Sequence, residues 1–219
     1  EINIPYYVSN GYLVFCPDIR YHIGDPMKGT YDAVISAARY IGEFPFVDPA
    51  KIGAQGCSWG GVETNYIVTH TNLFAAACSA SGIANWVSGY GRLAGTGESM
   101  QGMFEIGQFR MGGTLWQKHE TYIRNSPIFQ VDKMTTPLLL MHTTKDMICS
   151  PTDMQFFFRS LCKAGMKSWF LLYEGNHGLY GRDGEDFSSR MKQFFDFYLR
   201  DYPAAKWMTT PSEELGCIK

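Results

Sequence analysis

Long apolar runs, a secretion signal and a strong charge of either sign are all missing from this sequence. No apolar run approaches the about 20 residues that a membrane-spanning helix needs, and no charged-then-apolar segment opens the chain. The formal net charge is −2, so the composition offers no general attraction to nucleic acid or to an anionic membrane. We therefore expect no nucleic-acid partner and no membrane span.

Clustered cysteines are missing too. The six cysteines form no C-x-x-C pair and no Cys/His group with metal-ligand spacing, so we expect no zinc site, no other metal and no cofactor. In a chain of 219 residues, scattered cysteines are more often small buried hydrophobes than a disulfide framework. The compartment, cytoplasmic or periplasmic, stays open.

The composition that is present is that of a globular protein. Hydrophobic residues make up 45% and aromatic residues 15% of the chain, which argues against disorder. A chain of this length buries a substantial core, and it shows no linker, repeat or low-complexity segment. We take residues 1–219 as one domain.

The chain is organised around a strand-to-helix turn within residues 51–61. Gly56, Ser58 and Gly60 spell G-x-S-x-G there, the pattern of a nucleophile elbow, which holds a serine on a sharp turn with its hydroxyl exposed. The glycines are expected because larger side chains two residues from the serine would collide with the strand or the helix. A turn with no chemistry is the alternative for the bare motif, but the flanking strand and helix favour Ser58 as the nucleophile.

Strand-like and helix-like segments alternate along most of the chain. This alternation predicts βαβ units and an α/β class, with a mainly parallel sheet and helices on both faces. In such a sheet, active groups gather at the carboxyl ends of the strands. The expected strands are 12–16, 51–55, 74–79, 137–141 and 168–173. The expected helices are 31–44, 59–70, 151–163 and 185–202, with residues 203–219 as a tail.

Residues 83–125 interrupt the alternation. They are rich in glycine and aromatic residues and have no clean period, so we interpret them as an excursion over the active-site edge of the sheet. Aromatic side chains there are candidates for a substrate pocket. Packing of the excursion on the sheet explains any one of them equally well.

Two later residues complete a candidate catalytic triad. In α/β-hydrolases the members follow the chain order Ser, acid, His, each in a loop after a strand. Elimination by order and position leaves His177, in a loop flanked by glycines, while His142 closes a strand and is expected to pack there. Asp146 is the acid that follows a buried strand. His177 would take the Ser58 proton, Asp146 would fix the imidazole tautomer, and the backbone N–H of Trp59 would stabilise the oxyanion.

Motifs over nearly the whole chain carry a family resemblance. They are residues 17–21 (Pro-Asp-Ile-Arg-Tyr), 47–49 (Val-Asp-Pro), 56–61 (Gly-Cys-Ser-Trp-Gly-Gly), 126–127 (Ser-Pro), 136–139 (Thr-Pro-Leu-Leu), Asp146 and His177. Together they resemble the catalytic domain of the prolyl oligopeptidase family of serine peptidases, including its dipeptidyl-peptidase IV-like and acylaminoacyl-peptidase members. The resemblance implies an α/β-hydrolase fold and hydrolysis of oligopeptides through an acyl-enzyme on this triad. It also implies that Trp86 and Tyr90 line the pocket for the residue before the scissile bond.

Two departures from the family pattern bear on these expectations. Val62 stands where many members carry an aromatic residue. Only 57 residues precede Ser58, and the first is Glu, whereas members usually carry a β-propeller and further strands ahead of the elbow, including the turn with the second oxyanion donor. We therefore expect a carboxy-terminal piece of a longer peptidase, with the amino-terminal strands of the sheet missing and weak or absent activity of its own. An exposed edge at residues 12–16 would favour homo-oligomers.

Other functions stay open at this point. A carboxylesterase on the same fold would use the same triad, because ester and amide hydrolysis share it. A catalytically silent fragment that self-assembles through its sheet edge is the third hypothesis. The motifs do not decide between dipeptidyl, prolyl and acylaminoacyl specificity.

Overall fold

A five-stranded sheet forms the centre of the computed structural model, which describes residues 2–209 and 216–217. Its spatial order is β1 (Gly53–Cys57), β2 (Ala76–Ala80), β3 (Leu138–Thr143), β4 (Ser168–Tyr173) and β5 (Gly216–Cys217). Strands β1 to β4 pair in parallel, and β5 pairs antiparallel with β4. The predicted α/β class with a mainly parallel sheet is confirmed. Because parallel strands end at one edge, the loops after β1, β3 and β4 meet there.

Helices lie on both faces of this sheet. They are α1 (Ile4–Ser9), α2 (Pro26–Gly42), α3 (Trp59–His70), α4 (Trp86–Tyr90), α5 (Gln101–Glu105), α6 (His119–Arg124), α7 (Pro151–Lys163), α8 (Gly181–Arg200) and α9 (Lys206–Thr209), with 3₁₀ segments at Pro49–Lys51 and Pro127–Lys133. Successive β3 side chains point to opposite faces. Leu139 and Met141 pack in the cluster that contains Phe194 of α8, whereas Leu138 and Leu140 pack in the cluster that contains α7. Because side chains on both faces of β3 are buried, the sheet lies between two layers of helices.

Several predicted elements have the expected bounds because local signals mark them. Helix α7 begins at Pro151, where the missing N–H costs nothing, and β4 consists of Ser168 followed by an apolar and aromatic run. Helices α2 and α8 begin earlier than predicted, at Pro26 and Gly181. The tail contributes α9 and β5, and its remaining residues, 210–215 and 218–219, lie outside the described residues.

Residues 12–16 are not a strand, which corrects one prediction. Tyr12 and Val14 pack against the core while Leu13 and Phe15 are exposed, so the alternation that suggested a strand is present. No described strand pairs with this segment, however, and a strand requires a neighbour that completes its hydrogen-bond ladder. Within the described part of the chain, one edge strand of the sheet is therefore β1, and the other is β5.

The cysteines only partly follow the expectation of small buried hydrophobes. Cys78 is fully buried, Cys57 and Cys149 are half-buried, and Cys16 is exposed. Cys162 is disulfide-bonded, which the prediction missed. Across residues 2–209 and 216–217, no helix is both long and apolar enough to cross a membrane.

Candidate active site

The elbow at Ser58 joins the end of β1 to the start of α3. Ser58 has φ 56° and ψ −115°, a backbone conformation that is costly for a residue with a side chain. A Cβ on Gly56 would lie 1.9 Å from the Gly60 carbonyl oxygen, and one on Gly61 would lie 2.5 Å from the Ala80 carbonyl oxygen. A Cβ on Gly60 would meet nothing within 4 Å. Crowding therefore explains Gly56 as predicted, but not Gly60, while Gly61 allows the close approach of α3 to the neighbouring strand.

The three side chains singled out by chain order lie in one hydrogen-bonded row at the carboxyl edge of the sheet. His177 Nε2 is 2.8 Å from Ser58 Oγ, and His177 Nδ1 is 2.8 Å from Asp146 Oδ2. An ionised carboxylate only accepts, so Nδ1 donates to Asp146 and Nε2 is left to accept the Ser58 proton. This is the geometry required of a nucleophile, a general base and an orienting acid.

The Asp146 carboxylate is held in its ionised form by its loop. Its side chain is fully buried, and burial by itself would raise the pKa. Hydrogen bonds from His177 and from the backbone N–H groups of Cys149 and Ile148 outweigh that effect and lower the pKa of Asp146 below its usual value. The group is therefore an anion at neutral pH and stabilises an imidazolium at His177.

Behind this acid lies His142, at the end of β3. The ring is fully buried, Nε2 lies 3.8 Å from Asp146 Oδ2, and burial lowers the pKa of His142. The imidazole is consequently neutral, and it packs at the strand end as the sequence predicts. His142 therefore packs beside the buried Asp146 carboxylate and adds no positive charge that would compete with His177 for it.

The loop that carries His177 is tied to the loop of the acid. Thr143 Oγ1 donates to the Asn176 carbonyl over 2.5 Å, Ser81 Oγ donates to the His177 carbonyl over 3.2 Å, and the Lys145 N–H donates to the Gly175 carbonyl over 2.9 Å. These bonds position the imidazole from both sides. Sequence reasoning missed Thr143 and Ser81 because the residues they bind are distant in the chain.

A second network fixes the residue after the nucleophile. The Trp59 backbone N–H opens α3, where no intrahelical acceptor exists, so it is available to a developing oxyanion. The Trp59 indole N–H donates to the Tyr21 hydroxyl over 2.9 Å, and that hydroxyl donates to Glu63 over 2.6 Å. Thr30 also donates to Glu63, whose pKa is raised by burial. Nothing in the elbow motif pointed to this buried carboxyl.

A cavity of about 70 Å³ opens beside Ser58. Its wall comes from α3, from the excursion and from the loop of the acid. The lining residues besides Ser58 are Trp59, Val62, Ile83, Arg92, Met100, Met103, Phe104, Gln108, Phe109, Ile148 and Cys149.

Trp86 and Tyr90, which were expected to line this pocket, are not on its wall. Trp86 is 0% and Tyr90 2% exposed, and both lie in the aromatic cluster of the excursion. The Trp86 ring packs edge-on against Phe104 and Phe109, which do line the cavity. The two residues thus support the wall from behind, which corrects their expected place on the cavity wall.

No metal site is formed by residues 2–209 and 216–217, because no group of three or more His, Cys, Asp or Glu side chains there could hold a metal ion.

Comparison with known proteins gives one family and several relatives. The family model described as "Prolyl oligopeptidase family" matches residues 2–202. The uncharacterized peptidase YuxL of Bacillus subtilis is 31% identical over 150 residues, which are 66% of this chain and 21% of that protein. Dipeptidyl-peptidase 5 of Porphyromonas gingivalis is 25% identical over 193 residues, which are 80% of this chain and 27% of that protein.

Solved structures show the same fold. The uncomplexed acylaminoacyl peptidase of Pyrococcus horikoshii superposes with a TM-score of 0.66 at 25% identity, covering 81% of this chain and 29% of that one. A peptidase of Mycobacterium tuberculosis described as puromycin-hydrolyzing gives a TM-score of 0.70 at 23% identity, covering 78% of this chain and 25% of that one. The chain thus spans about a quarter of the length of these relatives.

Proposed function

We propose that the chain, which belongs to the prolyl oligopeptidase family, is the catalytic part of a serine peptidase that cleaves short peptides through an acyl-enzyme. The observation that carries this proposal is the row of two 2.8 Å contacts from Ser58 through His177 to Asp146. Peptidase names among the relatives, including dipeptidyl-peptidase 5, support the substrate class. Ser58, His177 and Asp146 are the proposed triad.

The proposed reaction proceeds in two halves. Ser58 Oγ attacks the carbonyl carbon of the scissile peptide bond while His177 Nε2 takes the hydroxyl proton. The Trp59 N–H stabilises the resulting oxyanion, and the imidazolium then gives its proton to the departing amine, which leaves Ser58 as an ester. Water attacks that ester with His177 again as base, and the imidazolium then gives its proton to the departing Ser58 Oγ, which releases the acid product and regenerates free Ser58. Asp146 keeps the imidazole in the required tautomer throughout.

The proposal predicts that the protein hydrolyses peptide amides and not only esters. Chromogenic Xaa-Pro and Ala amides would be compared with a p-nitrophenyl ester, and Ser58 would be titrated with a fluorophosphonate. In a full-length form of the protein, we expect labelling at Ser58 and turnover of at least one amide series, with Ser189→Ala, an exposed serine of α8, as the unaffected control. Turnover of esters alone would favour the carboxylesterase. No labelling at all, together with a stable oligomer, would favour the catalytically silent assembly.

Self-association is the second expectation, with another copy of the chain as the partner. β1 has β2 as its described neighbour, and Leu13 and Phe15 are 70% and 53% exposed. We expect light scattering to show a dimer or larger species that dissociates in the double variant Leu13→Lys, Phe15→Lys. Ile106→Lys, at an apolar residue that is 89% exposed in the excursion, is the matched control and should leave the assembly intact. A monomer at all concentrations would contradict this expectation.

A further inference from the structure

Arg92 lies where the cavity beside Ser58 meets a second, wider cleft. It lines the cavity of about 70 Å³ and also an open cleft of about 470 Å³ along the loop of Asp146. Its side chain is half-buried, and its guanidinium donates to the Ile148 carbonyl in that loop. The position of the positive charge is therefore set by the loop that also holds the acid.

Arg92 makes no direct ion pair in the described part of the chain, but its charge does interact electrostatically with the buried carboxyl of Asp153. Arg92 forms none of the salt bridges between described residues, and its bond to Ile148 leaves most of its five N–H donors without a described partner. Asp153, whose pKa is raised to about 6 by burial, accepts from the Ala84 N–H and the Ser88 hydroxyl instead. The Asp146 carboxylate is likewise taken up by His177 and its own loop.

The other cation of the wider cleft is already paired. Lys145 forms a hydrogen-bonded ion pair with Glu174, and both side chains are largely exposed. Arg92 is thus the one charged side chain on the described wall of the Ser58 cavity, whereas the wider cleft is also lined by Lys145 and by the Asp146 carboxylate. An anion at the mouth of the cavity would meet Arg92 rather than Lys145.

We propose that Arg92 makes the cavity beside Ser58 a subsite for an acidic side chain, Asp or Glu, on the residue whose carbonyl Ser58 attacks. Such a side chain has an apolar stem, which fits the wall of Ile83, Phe104 and Phe109, and a carboxylate tip that the planar guanidinium binds bidentately. Half-burial of the arginine strengthens that pairing relative to water. This substrate class rests on the proposed peptidase function, which it deepens.

The kinetic test compares peptide p-nitroanilides that carry either Glu or Gln at the residue whose carbonyl Ser58 attacks and are otherwise identical. Each Glu/Gln pair is measured once with a free and once with an acetylated amino terminus. Hydrogen bonds to charged groups predict that kcat/KM is about 10-fold to 100-fold higher for Glu. Arg92→Gln should remove this preference by lowering turnover of the Glu substrate, whereas Arg159→Gln, at an exposed arginine of α7 that lines neither cavity, should retain it. Equal turnover of the two substrates by the wild type, or a preference that survives Arg92→Gln, would overturn the inference.

A binding test separates this inference from the catalytic one. In the Ser58→Ala variant, calorimetry would compare N-acetyl-glutamic acid α-amide with N-acetyl-glutamine α-amide, which differ only in the side-chain charge. We expect the acid to bind at least about 10-fold more tightly, with a difference that shrinks as salt is added. Equal affinities would overturn the acidic subsite even if Ser58 proves to be the nucleophile. Failure of the fluorophosphonate to label Ser58, with the charge preference in binding intact, would overturn only the peptidase mechanism.

Discussion

Ser58→Ala is expected to lower peptide turnover by at least about 10³-fold, because loss of the nucleophile removes covalent catalysis and leaves only binding and oxyanion stabilisation. The fold should be unchanged, since alanine occupies the same strained turn with one atom fewer and no packing contact is lost. The measurement is kcat on the best amide substrate, with circular dichroism and the melting temperature as checks of folding.

The control for this variant is Ser189→Ala, which removes an exposed hydroxyl on α8 and should change kcat by less than about twofold. A loss of only a few-fold in Ser58→Ala would mean that another group attacks the carbonyl. Cys57, next to Ser58 and half-buried, would then be the first residue to test.

Asp146→Asn and His177→Ala should each cost about 10³-fold to 10⁴-fold in kcat, and neither should add to the effect of Ser58→Ala. In Asp146→Asn the amide oxygen can still accept from the Ile148 and Cys149 N–H groups, which directs its NH₂ group toward His177 Nδ1. Nδ1 must then accept, so the ring proton moves to Nε2, where it faces Ser58 and cannot take the hydroxyl proton. The structure stays intact while the base is in the wrong tautomer.

Matched controls exist for both of these variants. Asp132→Asn changes an exposed carboxylate in the 3₁₀ segment before β3, and His119→Ala changes an exposed imidazole at the start of α6. Both should leave kcat nearly unchanged. The decisive comparison is the double variant Ser58→Ala, Asp146→Asn: kinetics that match Ser58→Ala alone indicate one catalytic unit, whereas multiplied losses would show that the residues do not act together.

The sequence predicted least about the excursion, residues 83–125. Composition indicated an aromatic wall near the nucleophile, and Phe104 and Phe109 form part of one. It did not separate them from Trp86, which lies in the same cluster but is not on the cavity wall. Which aromatic faces the cavity depends on how α4 and α5 pack together, and residues without a regular period carry no local signal for that packing. The position of Arg92 on the cavity wall was missed for the same reason.

What the sequence by itself determined is local and ordered along the chain: the elbow glycines around Ser58, the apolar runs of β3 and β4, the proline that begins α7, and the order of Ser58, Asp146 and His177. Gly56, the apolar runs and the proline follow from backbone sterics or hydrophobic burial within a few residues, and the order of the three triad candidates is read directly along the chain. Residues 12–16 show the limit, because their alternation is that of a strand but a ladder needs a partner from elsewhere in the chain. Only the tertiary structure decided the 2.8 Å contacts across the sheet edge, the Tyr21–Glu63 support of Trp59 and the position of Arg92 on the cavity wall. Those are contacts between distant segments, which the parallel sheet brings to one edge and which no local pattern encodes.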